Sequence, residues 1–148
     1  MRTKSSASAT GSPARALARL SRIVEHAVAD DDLTLPQYRL LAFLSQGDWA
    51  ASALADWLAV SRPSVTTLVD GLVKRGLVER RTGTDDRRRV DHLLTPGGLA
   101  ILRAADERAE AALQSVFDGL PDDVTAEAHR ALCRLHEEMD ARLQEKLR

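Results

Sequence analysis

The chain is poor in cysteine, in aromatic residues and in long apolar runs. Its one cysteine, Cys133, excludes an internal disulfide framework and a cysteine-rich zinc fold. Aromatic residues make up 3% of the 148 residues, which argues against a stacking platform for single-stranded nucleic acid. No apolar run approaches the roughly 18 residues that span a bilayer, and the polar start MRTKSSASATGSP lacks the apolar core of a secretory signal. We therefore expect a soluble, cytoplasmic protein.

Enzymatic sequence motifs are lacking as well. The sequence contains no phosphate-binding loop, no G-x-S-x-G, no HExxH and no Ser/His/Asp set beyond residues that any chain contains. These absences predict a protein that is not an enzyme and needs no cofactor.

The charged residues are unevenly distributed along the chain. The formal net charge is only −1, which by itself argues against a nucleic-acid partner. Residues 60–95, however, carry eight basic and five acidic side chains, a net charge of +3, whereas residues 96–148 carry seven basic and eleven acidic ones, a net charge of −4. A basic middle joined to an acidic tail is a pointer to nucleic-acid binding by one part of a chain. A solvated charged surface is the alternative reading of this pattern.

Most of the chain shows apolar residues at helical spacing. Ser12-Pro13 is expected to cap and begin a first helix, and Thr34 with Gln37 has the form of a capping box for a second. A short third helix follows, and then a fourth one that Ser61 caps and Gly76 ends. Two strand-like runs at 77–81 and 89–94 then flank a Gly/Asp stretch and predict a hairpin, after which two long helices complete the chain. The expected fold class is mainly α with a small β-hairpin.

A helix, a short turn and a capped second helix form the helix-turn-helix pattern, in which the second helix lies in the major groove of DNA. Small hydroxyl side chains on the polar side of that helix allow close approach to phosphates, and an arginine near its start can reach guanine. The candidate DNA-binding residues of this helix are Ser61, Arg62, Ser64, Thr66, Thr67 and Lys74.

The turn of the predicted hairpin is a second candidate DNA probe. Arg87, Arg88 and Arg89 follow it, and an arginine there can enter a narrow minor groove. Asp86 would be repelled by phosphate, but its carboxylate can hydrogen-bond Arg88 and orient the guanidinium before binding. A solvated turn with a chance run of charge is the alternative.

Two segments, LTLPQYRLLAFL and LADWLAVSRPSVTTLVDGLVKRGLVERRTGTDDRRRVDHLLTPGG, resemble the MarR family of winged-helix transcription regulators. The likeness covers residues 33–98 closely and implies that Ser61 to Lys74 form the recognition helix and that Asp86-Arg87-Arg88 is the wing signature. Ala50 and Ala53 depart from the family pattern at the start of the third helix. Asp91, His92 and Leu93 depart from it in the second wing strand, whose register stays open.

The resemblance implies a winged helix-turn-helix lobe on a helical dimerisation platform. The long last helices carry apolar stripes that a small lobe cannot cover, which predicts a homodimer on a pseudo-palindromic operator. The expected division is a disordered tail at 1–11, an N-terminal helix of the dimerisation region at 12–32, the DNA-binding domain at 33–95 and the dimerisation helices at 96–148.

Regulation is less well defined by the sequence. Many members of the family hold small aromatic or amphipathic anions near the crevice between the lobe and the platform, and here His26, Arg39 and Trp49 are the candidate ligand residues. His129, Cys133 and His136 share one helix face, so a metal- or redox-responsive regulator is an alternative, although the expectation is that no metal is bound. A dimeric helical adaptor that binds ligand but no DNA is the remaining alternative.

Overall fold

The computed structural model describes residues 11–47, 49–82 and 90–147. The predicted disordered tail, apart from Gly11, and the predicted wing-tip residues 86–89 lie outside these ranges. The described chain is mainly helical with one small sheet. The elements are α1 (Pro13–Ala29), α2 (Leu35–Leu44), β1 (Trp49–Ala50), α3 (Ala51–Leu58), α4 (Arg62–Lys74), β2 (Val78–Thr82), β3 (Val90–Leu94), α5 (Pro96–Phe117) and α6 (Asp122–Leu147).

Side-chain caps fix the starts of three helices. The Thr34 hydroxyl accepts from the Gln37 amide while the Gln37 side chain accepts from the Thr34 amide, so the predicted capping box is confirmed. Ser61 caps α4 and Thr95 caps α5 in the same way, each accepting from the amide three residues on. Ser12 is the N-cap residue of α1 and Pro13 begins the helix, as predicted, but the Ser12 side chain makes no capping hydrogen bond.

Three helices end in the same type of backbone closure. After α1, α3 and α4 the chain turns through a residue with positive φ, and the next amide reaches back to a carbonyl of the last helical turn. Gly76 occupies this position after α4 with φ +71°, as the sequence predicts. Asp32 and Ala59 occupy it after α1 and α3, each with φ +54°.

The sheet has three antiparallel strands in the order β1-β3-β2. The hairpin pairs Val78 with Leu94 and Arg80 with His92, which settles the register that the sequence left open. The sequence reading missed β1, which pairs Trp49 with His92 on the other side of β3. Two residues are too short a run for an alternating pattern to reveal a strand.

One apolar core joins the middle lobe to the long helices. Phe43 and Leu40 of α2 and Val69 of α4 are fully buried in it, and Leu102 and Ala105 of α5 belong to the same cluster. The lobe is therefore held on α5 by apolar packing as well as by the polar contacts described below.

The last helix, α6, is the least covered element. Leu135 is 54% exposed and Met139 is 68% exposed, and α6 packs extensively against no other element of the described chain. Leu143, near its end, is buried in the common core. No helix in the described ranges combines the length and apolarity needed to cross a membrane.

Candidate nucleic-acid interface

The fourth helix has one buried and one exposed face. Val65, Val69 and Leu72 recur at spacings of four and three residues and are fully buried, so the opposite side of α4 must face outward. All six candidate residues of this helix are exposed: Ser61, Arg62, Ser64, Thr66, Thr67 and Lys74.

Hydroxyl groups dominate the first two turns of that exposed face. Thr66 and Thr67 donate to the carbonyls of Arg62 and Pro63, at 3.1 and 3.2 Å, and the Ser61 and Ser64 hydroxyls are 2.8 Å apart. A hydroxyl that donates to a carbonyl of its own helix still has acceptor capacity and can rotate toward a new partner. The face is therefore small, polar and compatible with close approach to a polyanion.

An ion pair ties α4 to the hairpin. The Arg80 guanidinium of β2 donates to the Asp70 carboxylate of α4, across ten residues of sequence. Both side chains are partly exposed, so this pair positions the strand more than it stabilises the fold. The hairpin base is thereby fixed to the last turns of the fourth helix, and the tip that carries the predicted Asp86, Arg87, Arg88 and Arg89 lies outside the described residues.

His92 lies at the centre of the small sheet and is only 4% exposed. Its Nδ1 is 3.1 Å from the carbonyl oxygen of Trp49. Burial, with a smaller effect from the charge of Arg80, lowers the pKa of His92 below its ordinary value of 6.5, against the opposing effects of the Trp49 carbonyl and Asp91. A neutral His92 donating to Trp49 therefore joins β3 to β1.

The end of α4, the start of β2 and the start of α5 meet at one crowded junction. The Thr95 hydroxyl donates to the Gly76 carbonyl at 2.7 Å while it caps α5. A Cβ on Gly98 would lie 2.1 Å from the Leu77 carbonyl oxygen and 2.7 Å from Leu94. Glycine is thus required at position 98 because helix and strand backbones approach too closely for a side chain.

The three predicted ligand residues are only partly brought together. Trp49 and Trp57 each stack on Phe43 at 4.8 Å between ring centroids, and the Arg39 guanidinium lies 5.4 Å from the Trp57 ring. Arg39 and Trp49 therefore flank one aromatic stack. His26 is exposed on α1, and none of the described contacts joins it to the other two.

A tyrosine links α2 to α5. The Tyr38 hydroxyl donates to the Asp106 carboxylate at 2.7 Å. Burial first, and then the bond to Asp106, raise the pKa of Tyr38 far above its ordinary range. Tyr38 is therefore a neutral donor at any physiological pH.

The histidines and the cysteine singled out for metal binding line a pocket of about 230 Å³ between α5 and α6. Phe117 packs edge-on against His129 on its wall, and Cys133 is exposed. Within the described ranges, no three His, Cys, Asp or Glu side chains come together closely enough to hold a metal ion. The metal-responsive alternative gains no support from this arrangement.

Sequence reasoning missed the contacts that join distant segments. The Asp70–Arg80 pair and the burial of His92 depend on the register of the hairpin, which no local pattern reveals. The one available signal was the helix-ending Arg75: a guanidinium at a helix end seeks carbonyl or carboxylate oxygens, and here it bonds the turn after α1.

Comparison with known proteins agrees with this geometry. A family model described as MarR family matches residues 31–89. YsmB of Bacillus subtilis (strain 168), an uncharacterized HTH-type transcriptional regulator, is 30% identical over 108 residues, which are 72% of this chain and 74% of YsmB. YetL of the same strain, an HTH-type transcriptional repressor, is 30% identical over 87 residues, which are 57% of this chain but only 52% of YetL.

Solved structures share the fold. A mutant MarR from E. coli, complexed with operator DNA, matches with a TM-score of 0.65 and 24% identity, over 82% of this chain and 89% of that one. The winged helix-turn-helix fold that the resemblance implied is confirmed. The chain belongs to the MarR family of transcription regulators, which are DNA-binding proteins and not enzymes.

Proposed function

We propose that the chain is a homodimeric, sequence-specific DNA-binding regulator that places α4 in the major groove of a pseudo-palindromic operator. The main support is that α4 has two distinct faces. Val65, Val69 and Leu72 on one face are fully buried, whereas the opposite face exposes Arg62 and small hydroxyl residues. Arg62 at the start of the helix reads base edges, and Lys74 at its end contacts phosphate.

The wing is the second DNA probe in this proposal. Arg88 enters the flanking minor groove, oriented by Asp86 and accompanied by Arg87 and Arg89. The Asp70–Arg80 pair supports this role, because it fixes the base of the hairpin to the recognition helix.

The exposed apolar face of α6 supports homodimerisation. The apolar side chains of α6 include Leu135 and Met139, which are more than half exposed although they lie on a regular helix. A second copy of the chain covers such a surface most economically, in a two-fold arrangement that places the half-sites about one helical turn apart. Residues 12–32 and 96–148 form the dimerisation platform, and residues 33–95 form the DNA-binding lobe.

We assign the regulator a repressor role, as in its relative YetL. A small aromatic or amphipathic effector binds beside the aromatic stack, where Arg39 supplies a positive charge and Trp49 an apolar surface. His26 stays a further candidate for the same effector, although none of the described contacts joins it to the other two. Such an effector acts by favouring a dimer whose recognition helices no longer match the operator repeat.

The test is a fluorescence anisotropy titration with a duplex from the gene's own upstream region and a scrambled duplex, over a series of salt concentrations. Tight binding of the upstream duplex and weaker, steeply salt-dependent binding of the scrambled one are expected. Arg62→Ala should weaken binding of the upstream duplex by about 1–3 kcal/mol and leave binding of the scrambled duplex unchanged. Arg103 is an exposed arginine on α5, and Arg103→Ala should change the affinity for neither duplex. Absence of any salt-dependent binding would instead favour a helical adaptor without DNA-binding function.

A further inference from the structure

The turn after α1 contacts both the end of the recognition helix and the middle of α5. Arg75, the first residue after α4, donates through its guanidinium to the carbonyl oxygens of Asp32 at 2.7 Å and Asp31 at 3.3 Å. Arg108 of α5 forms ion pairs with Asp31 at 3.0 Å and Asp30 at 3.8 Å. Two arginines from distant segments therefore meet on three consecutive residues.

The local backbone explains why these oxygens are available. Asp32 has φ +54°, and the amides of Asp32 and Leu33 close α1 by bonding the carbonyls of Ala29 and Val28. This closure leaves the Asp31 and Asp32 carbonyls directed away from the helix, where Arg75 binds them.

Arg108 compensates the charge of a buried carboxylate. The Asp31 side chain is only 8% exposed, and its Oδ2 accepts no hydrogen bond within the described ranges. The nearby guanidinium is therefore the main compensation for this carboxylate, and its removal would leave a buried charge alone. This contact holds the turn against α5.

A small rotation at this point has a large effect on DNA. The 13 residues of α4 extend about 20 Å from Arg75 to the DNA-facing start of the helix. A tilt of about 5° at the anchored end moves the other end by up to about 1.7 Å, and two subunits together by about 3.4 Å, the rise of one base pair.

We propose that the turn at 30–32 is a joint that fixes the angle between α4 and α5, with Arg75 and Arg108 as positioning residues for operator binding. The inference rests on the proposed function. The joint then sets half-site spacing together with the apolar packing of the lobe on α5, because it ties the end of the recognition helix to the turn after α1 and to the middle of α5.

The test uses the duplex that wild-type protein enriches from a random-sequence library, together with derivatives that have one base pair added or removed at the centre. Wild type should bind both derivatives about tenfold more weakly than the parent. Arg75→Met and Arg108→Met should each bind the parent about fivefold more weakly, lose most of the discrimination between spacings, and keep the wild-type affinity and salt slope for a scrambled duplex.

Controls separate positioning from stability and from direct contact. Arg103→Met, on the same helix as Arg108, should behave as wild type, and Arg75→Lys should recover part of the spacing preference. The double variant Arg75→Met/Arg108→Met should be no weaker than the weaker single variant, since both act through one joint. If Arg108→Met fails to fold, Asp31→Asn breaks the same ion pair without leaving a buried charge.

Three outcomes would overturn the inference in different ways. Variants that keep the wild-type spacing preference would show that the joint does not set it. A loss of affinity for every duplex in Arg75→Met, with the salt slope reduced by about one, would make Arg75 a phosphate contact. If wild type enriched no duplex at all, the proposed function would fail first and this inference with it.

Discussion

The turn between α3 and α4 contains an alanine in a conformation that suits glycine. Ala59 has φ +54°, and the chain closes α3 there through bonds from the Ala59 amide to Asp56 and from the Val60 amide to Ala55. An L-residue in this region costs about 1–2 kcal/mol, and glycine avoids that cost while losing about 0.5–1 kcal/mol more backbone entropy on folding. Ala59→Gly should therefore stabilise the protein by about 0.5–1 kcal/mol.

Thermal and urea unfolding at one fixed protein concentration measure this effect, because the stability of the proposed homodimer would depend on concentration. The expected rise in Tm is about 2–3 °C. Ala100→Gly, the same chemical change at an exposed position of α5, should destabilise by about 1 kcal/mol. Opposite signs for the two substitutions test the backbone argument directly, and a loss of stability in Ala59→Gly would refute it.

Further substitutions test the junction, the sheet and the DNA contacts. Gly98→Ala should cost about 1–3 kcal/mol in urea unfolding, since its Cβ would meet the Leu77 carbonyl; wild-type stability would contradict the close packing. Folding lowers the pKa of His92, so its contribution to the free energy of unfolding should be fully present above pH 6.5 and be lost as the pH falls below that value. The loss from this one residue is at most about 1.4 kcal/mol per pH unit. An unchanged pH profile in His92→Gln would exclude this contribution. Lys74→Gln should reduce the salt slope of DNA binding by about one, and a sequence-dependent loss would instead mean base reading. Arg88→Ala should weaken operator binding by about 1–3 kcal/mol, and unchanged affinity would remove the wing from the proposal.

Local patterns predicted the elements of the fold well. The capping box at Thr34, the cap at Ser61 and the stop at Gly76 each depend on a few neighbouring residues, and the structure confirms all three. The hairpin strands lie within one residue of their predicted positions at 77–81 and 89–94.

Contacts between distant residues could not be predicted in the same way. The bond from Arg75 to Asp32 spans 43 residues of sequence, and the short strand at Trp49 exists only because β3 is placed beside it. Ala59 adopts positive φ although glycine would suit the position better, so the residue type gave no signal of the turn after α3.

The candidate site shows the same division. The exposed face of α4 follows from helical periodicity, and Arg62 and Thr67 lie on it as predicted. The role of these side chains on DNA stays a prediction, as does that of the wing tip.

The most direct test of the central claim is selection of bound duplexes from a random-sequence library by the purified protein, followed by footprinting of the enriched sequence. A two-fold symmetric motif should emerge, with half-sites about 10 base pairs apart, protected major grooves and a protected flanking minor groove. A pool without an enriched motif, or one with a single asymmetric half-site, would contradict a dimer that reads DNA through α4 and the wing.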